Sequence, residues 1–258
     1  MSPGDKATTT PSLTPQTGIA SWLGRPLVLE ARSPYEQRRL RRSKLWQGEG
    51  VPPGQQRPML LIPGFLAAPR SGSSVLHVMA AAGWQIEAAA VGRNSGPAYV
   101  GVDAAEADLQ RMYHAHGAPV TLVGHSRGGQ FARILAVRHP HMVRQIITLG
   151  TPLLLKYPNF AAVKVPAELL DKTWRAGAFG EVFPDRENEV DRDRYAEFPD
   201  QIDFVSIYSR TDGIVDWRTC IEPAAHTIEV KASHRGLING VPGLSAIATA
   251  LERQEAGL

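Results

Sequence analysis

The sequence predicts an α/β architecture: a mostly parallel sheet of about six strands, helices on both faces, and a small helical insertion. Three observations carry this. Short, almost wholly apolar runs alternate with helical segments, the pattern of strands buried on both sides. The alternation is broken once, for about 50 residues after Thr151-Pro152, and a structureless loop of that length does not suit a compact domain. The 258 residues suffice for one sizeable domain, and 43% hydrophobic with 21% charged residues describes a folded chain rather than a disordered one.

In chain order, residues 1–18 (MSPGDKATTTPSLTPQTG) read as a disordered Thr/Pro-rich tail, and 19–58 as an N-terminal extension with a basic helix. Ser33-Pro34-Tyr35-Glu36 opens that helix: Ser33 can cap it, Pro34 suits its first position, and Glu36 completes a capping box. It carries Arg38, Arg39, Arg41, Arg42 and Lys44. One reading is a patch for phosphate, nucleic acid or membrane. The plainer one, favoured because no recognition motif accompanies it, is a solvated helix docked through its few apolar residues.

Residues 47–58 form a turn-rich connector, and 59–258 form the main domain. Its expected strands are Met59–Ile62, Gln85–Val91, Val120–Val123, Gln145–Leu149, Phe204–Ser209 and Thr227–Lys231. Its expected helices are Ser73–Ala82, Val102–His114, Gly128–His139 (stopped by Pro140) and Leu237–Leu251. The insertion at about 152–198 is read as a helical lid with a weakly helical piece at Pro166–Trp174.

Composition narrows the chemistry. The single cysteine, Cys220, excludes an intrachain disulfide and a Cys-based zinc cluster. His114/His116 and His139/His141 have metal-ligand spacing but no carboxylate or Cys cluster beside them, so neither a metal nor a cofactor is expected. No apolar run approaches the roughly 18 residues of a membrane helix. The N-terminus lacks the apolar core of a secretory signal, so a cytoplasmic location is expected. A net charge of +3 does not argue for nucleic acid, and no such partner is expected. Oligomeric state is not readable.

The strongest signal is Gly124-His125-Ser126-Arg127-Gly128-Gly129, directly after the strand VTLV and directly before a helix. A Ser on so sharp a strand-to-helix turn is held in strained geometry, which needs small residues two positions before and after it. Its hydroxyl then projects at the carboxyl edge of the sheet, beside the N–H groups of a helix N-terminus.

With Leu61-Ile62-Pro63-Gly64-Phe65, Ser209-Arg210-Thr211-Asp212-Gly213-Ile214-Val215 and Ala232-Ser233-His234-Arg235-Gly236, this motif resembles the α/β-hydrolase superfamily, particularly its lipase and esterase members. The resemblance runs from about Met59 to Leu251 and implies a compact α/β-hydrolase fold with nucleophile, acid and histidine in that order. The chain offers that order as Ser126, Asp212 and His234. A serine at the first position argues against the dehalogenase and epoxide-hydrolase branches, which use Asp there.

The residues argue the same choice. Active groups gather at the carboxyl ends of parallel strands. Asp203 precedes its strand, whereas Asp212 follows it by three residues; Asp216, four further on, is the competitor. His226 begins a strand, whereas His234 lies beyond its end. His125, next to Ser126, is expected to pack behind it. An oxyanion hole needs two N–H donors. One is expected from Arg127, and the resemblance points to Phe65 for the other, with Gly64 allowing close approach. The Arg127 side chain is open between a surface carboxylate, which is favoured, and an acidic substrate group.

The expected activity is cleavage of carboxylic esters through an acyl-enzyme, with acyl transfer or thioester/amide hydrolysis as the alternative and a non-catalytic binding protein as a lesser one. The insertion is rich in aromatics, among them Trp174, Phe179 and Phe183. Together with Leu66 they are candidate contacts for an apolar acyl or alcohol group, or else the insertion's own small core. The chain lacks the long additions that the resemblance would imply for a large secreted lipase, and small or medium esters are therefore the expected substrates.

Overall fold

The computed structural model describes residues 25–67, 72–153, 172 and 183–257. The tail 1–18, the helical piece expected at Pro166–Trp174 apart from residue 172, and the candidates Trp174 and Phe179 lie outside the described residues.

Six parallel strands form one sheet in the order β2-β1-β3-β4-β5-β6: β1 (Pro58–Ile62), β2 (Gln85–Ala88), β3 (Val120–His125), β4 (Val143–Leu149), β5 (Asp203–Tyr208) and β6 (His226–Glu229). The four central apolar runs read as strands, β1, β3, β4 and β5, are buried on both faces for a visible reason. In β1, Leu60 and Ile62 join one core and Met59 and Leu61 join the other. The first core is covered by α4 (Ala98–His116) and α5 (Arg127–Arg138). The second is covered by α2 (Ser33–Arg41), α3 (Ser73–Ala81) and α8 (Val241–Glu255). A sheet sandwiched in this way has no face left for polar alternation.

α1 (Arg25–Glu30) precedes α2. α6 (Pro184–Tyr195) lies within the insertion and adds Val190 to the first core. It is tied down by Arg133, which reaches from α5 to the carbonyls of Arg194 and Ala196 at 2.8 and 2.9 Å and forms a buried ion pair with Glu222 at 2.7 Å.

Several boundaries differ from the sequence reading. The closing helix is two: α7 (Gly236–Asn239) stops at Gly240, and Pro242 starts α8. Proline cannot donate to the preceding turn and clashes with its carbonyl, so it begins a helix here instead of continuing one. α4 starts at Ala98, four residues early, directly after Pro97, and its first N–H donates to Glu187 Oε1 at 2.7 Å. Edge strands β2 and β6 are shorter than expected at their carboxyl ends.

The capping box also fails. Arg32, not Ser33, precedes α2, and no side chain caps it. The Glu36 N–H already donates to the Arg32 carbonyl at 3.0 Å. The Glu36 carboxylate accepts the distant Ser233 N–H instead, at 3.1 Å. Among the described residues, no helix is long and apolar enough to cross a membrane.

The topology locates the site. After β1 the chain builds β2 on one side, then returns across to β3 on the other. The loops leaving β1 and β3 therefore part at a switch point, opening a crevice beyond the carboxyl ends of these strands.

Candidate active site

At the end of β3, Ser126 has φ 54° and ψ −125°, the backbone strain expected of a sharp turn from strand into helix. The surroundings hold it there. Its N–H donates to the Leu149 carbonyl at 2.9 Å, and its own carbonyl accepts from Gly129 at 3.0 Å. Gly128 backs directly onto β1: a Cβ would fall 2.1 Å from the Ile62 carbonyl oxygen. The β1 loop closes over the turn from the other side, since a Cβ on Gly64 would lie 2.9 Å from that of Ser126. Phe65, half-buried, and Leu66, exposed with φ 52°, follow directly.

Across the same crevice, His234 Nδ1 lies 2.7 Å from Asp212 Oδ2, both side chains buried. A carboxylate only accepts, so Nδ1 carries the proton and Nε2 keeps its lone pair when the ring is neutral. Asp212 is itself fixed: Oδ1 accepts the N–H groups of Ile214 and Val215 at 2.7 and 2.9 Å. Asp216, the competing carboxylate, caps the 3₁₀ turn Trp217–Cys220 by accepting the Arg218 N–H at 3.1 Å. His226 is exposed at the start of β6, at the opposite edge of the sheet.

Two bridges bring the halves together. The His125 and His234 rings lie 4.6 Å apart, and His125 Nε2 donates to the His234 carbonyl at 3.0 Å. Gly150, next to the Leu149 that holds Ser126, abuts the ion pair: a Cβ there would be 2.9 Å from Asp212 Oδ2 and 3.1 Å from His234 Nδ1.

A family model for the alpha/beta hydrolase fold matches residues 58–201, more than half of the chain. This chain belongs to the α/β-hydrolase family. Membership supports a hydrolytic enzyme. No curated protein matches the sequence. Among solved structures, this α/β hydrolase is similar to mature Bacillus licheniformis lipase BlEst2, with 17% identity, 79% of this chain and 94% of that one covered, and a TM-score of 0.53. It is also similar to mouse alpha/beta hydrolase domain-containing protein 10 (14% identity, 79% and 91% covered, TM-score 0.52). A third likeness is to the thioesterase domain of the curacin biosynthetic pathway (16% identity, 78% and 93% covered, TM-score 0.51). At these identities the shared property is the fold.

The electrostatics of this hydrolase distinguish its two neighbouring histidines. Burial and the adjacent His234 push the pKa of His125 down to about 3, so it stays neutral, consistent with Nε2–H as the donor. Burial also works against a charged His234. The charge and hydrogen bond of Asp212, with the charge of Glu30, outweigh it and raise the pKa above the ordinary histidine value.

Arg127 departs from the sequence reading. Its Nη1 and Nη2 donate to the carbonyls of Asn94 and Gly96, each at 2.9 Å, and its guanidinium lies over Phe131. Buried Asn94 in turn donates to the Pro63 carbonyl at 2.9 Å. Arg127 is thus a strut between the Ser126 turn and the loop after β2, which Asn94 links to the β1 loop. Phe183 is exposed and edge-on to Tyr99 at 6.3 Å.

Sequence reasoning missed Asn94, Glu30, Arg32 and Glu36. Asn94-Ser95-Gly96-Pro97 signals a loop, but nothing local names its partner.

Proposed function

We propose that this chain is a serine hydrolase cleaving carboxylic esters, with Ser126 as nucleophile, His234 as general base and Asp212 as the group that orients and charges the histidine. The observation that carries the reading is the buried 2.7 Å Asp212–His234 bond facing the strained Ser126 turn. His234 Nε2 takes the Ser126 hydroxyl proton as Oγ attacks the ester carbonyl carbon. The tetrahedral oxyanion is held by the backbone N–H groups of Phe65 and Arg127. As the carbon–oxygen bond to the alcohol breaks, the imidazolium returns its proton to the leaving oxygen. Water then repeats the cycle on the acyl-enzyme. This chemistry needs no cofactor.

An apolar acyl or alcohol group is the expected cargo. Leu66 and Phe183, both about half exposed, are the described apolar side chains proposed to meet it. Leu66 follows two residues after Gly64, which touches the Ser126 turn. Trp174 and Phe179 are proposed to extend this surface as part of a lid.

A panel of p-nitrophenyl esters from acetate to palmitate, run on wild type and Ser126→Ala, tests the reading. The expected result is turnover favouring small or medium chains, and a loss of about 10⁴-fold or more in kcat for a variant that still folds. Hydrolysis retained by Ser126→Ala would overturn it. Absent turnover of every ester by wild type would move the weight to thioester, amide or acyl-transfer chemistry.

A further inference from the structure

The first two helices and the turn between them reach the site through three side chains. Glu30, the last residue of α1, accepts three backbone N–H groups: Gly213 at 3.0 Å and His234 at 2.7 Å on Oε1, and Arg235 at 3.2 Å on Oε2. Gly213 directly follows Asp212. One carboxylate therefore touches both the residue after the acid and the histidine itself. Arg32 Nη2 donates to the Thr211 carbonyl at 2.9 Å, on the other flank of Asp212. Glu36 accepts the Ser233 N–H at 3.1 Å, on the other flank of His234.

A carboxylate at the C-terminal end of a helix faces the negative pole of the helix dipole. It gains there only by the donors it meets, and these three come from two separate loops. Resting on the reading of the site as a serine esterase, we propose that Glu30 is a positioning residue. It pins the loops after β5 and β6 to each other, so that Asp212 and His234 stay in register toward Ser126. Orientation of this kind carries large rate factors, because a displacement near 1 Å can cost about 100-fold in rate.

Glu30 also acts through charge. The groups around the His234 ring are Asp212 from the loop after β5, neutral His125 from the end of β3, Arg235 beside it, and Glu30 from α1. Asp212 and Glu30 favour the imidazolium, and Arg235 opposes it. Removing the Glu30 charge lowers the pKa of His234, so the acidic limb of kcat/KM moves to lower pH.

The test compares wild type with Glu30→Gln, Glu30→Asp, Ser126→Ala and Arg39→Gln, the last an exposed position on the outer face of α2. Measured are kcat, KM and the pH profile on the best ester, with thermal unfolding of each protein. Glu30→Gln places an amide where the Arg235 N–H needs an acceptor. It is expected to lose about tenfold or more in kcat with KM little changed, and to shift the acidic limb downward. Glu30→Asp, which keeps the charge, should hold the limb near wild type, and Arg39→Gln should match wild type throughout. Wild-type kcat and limb in a folded Glu30→Gln, beside a dead Ser126→Ala, would overturn the proposal alone. So would a loss that tracks unfolding with the limb in place, since that marks a merely structural carboxylate. Activity surviving Ser126→Ala would bring down the esterase reading and the proposal with it.

Discussion

The two halves of the site are built differently. The Ser126 turn is held largely by backbone packed against backbone, with Gly128 against the Ile62 carbonyl and Gly64 against the His125 carbonyl. The Asp212–His234 half hangs on side chains from far along the chain: 204 positions separate Glu30 from His234, and 197 separate Glu36 from Ser233. A half made of close backbone contacts is rigid and intolerant of added atoms. A half made of charged hydrogen bonds can be weakened by degrees, and its pKa values can be tuned along with its position.

The largest expected break in this contrast is Asp212→Asn. It leaves the shape of the loop but removes the charge that orients and stabilises the His234 imidazolium. On the proposed reading a loss of about 10⁴-fold in kcat is expected, the scale of an Asp-to-Asn change in a Ser–His–Asp triad. Asp216→Asn should cost little activity, because its carboxylate serves the Trp217–Cys220 turn. The reverse order in a side-by-side kinetic comparison would hand the role to Asp216.

On the other half, Gly128→Ala tests rigidity. The added Cβ would meet the carbonyl oxygens of Ile62 and Pro63 at 2.1 and 2.7 Å, and backbone atoms of a central strand cannot turn aside. Destabilisation of about 3 kcal/mol is expected, read from the midpoint of denaturant unfolding. An unchanged midpoint would show that the turn is less tightly built than its contacts imply.

These halves also differ in how far the sequence disclosed them. The Ser126 turn was legible because its requirements are local: a strand, small residues two positions either side, and a helix. The strands and the helix-covered faces followed from apolar runs of the right length, whereas the order of the strands in the sheet did not. The placement of Asp212 and His234 beyond the ends of β5 and β6 followed from the rule that active groups collect at one edge. What holds them there was not legible. Ser33-Pro34-Tyr35-Glu36 fits a capping box by spacing, yet Glu36 serves Ser233 instead. Glu30 carries no motif, because a carboxylate recruited by backbone N–H groups of distant loops leaves no periodicity to detect.

Tuning predicts a pH signature. Since the His234 pKa is raised, kcat/KM should climb through an acidic limb above 6.5, where the imidazole becomes the neutral base. Stability runs the other way. The contribution of this group is fully present below the unfolded value of about 6.5 and is lost as pH rises through the folded pKa. Activity and unfolding measured over the same buffers should therefore move oppositely. A limb below 6.5 would mean that burial outweighs the two carboxylates.

The smallest expected effect separates the two carboxylates of the N-terminal helices. Glu36 grips Ser233, one residue short of the histidine, and pairs with Arg32 at 3.1 Å. Glu36→Gln keeps an oxygen for the Ser233 N–H, and its amide can donate to the Ser233 hydroxyl oxygen. What is lost is mainly the charge facing Arg32, a partly exposed pair contributing no more than about 1 kcal/mol. That amount lowers Tm by about 2–4 °C in a domain of this size. It leaves kcat and the acidic limb in place, because Glu36 bonds neither the backbone of His234 nor that of the residue after Asp212. If Glu36→Gln instead cost as much activity as Glu30→Gln, the register of the two loops would depend on the whole helical pair rather than on the one carboxylate that spans them.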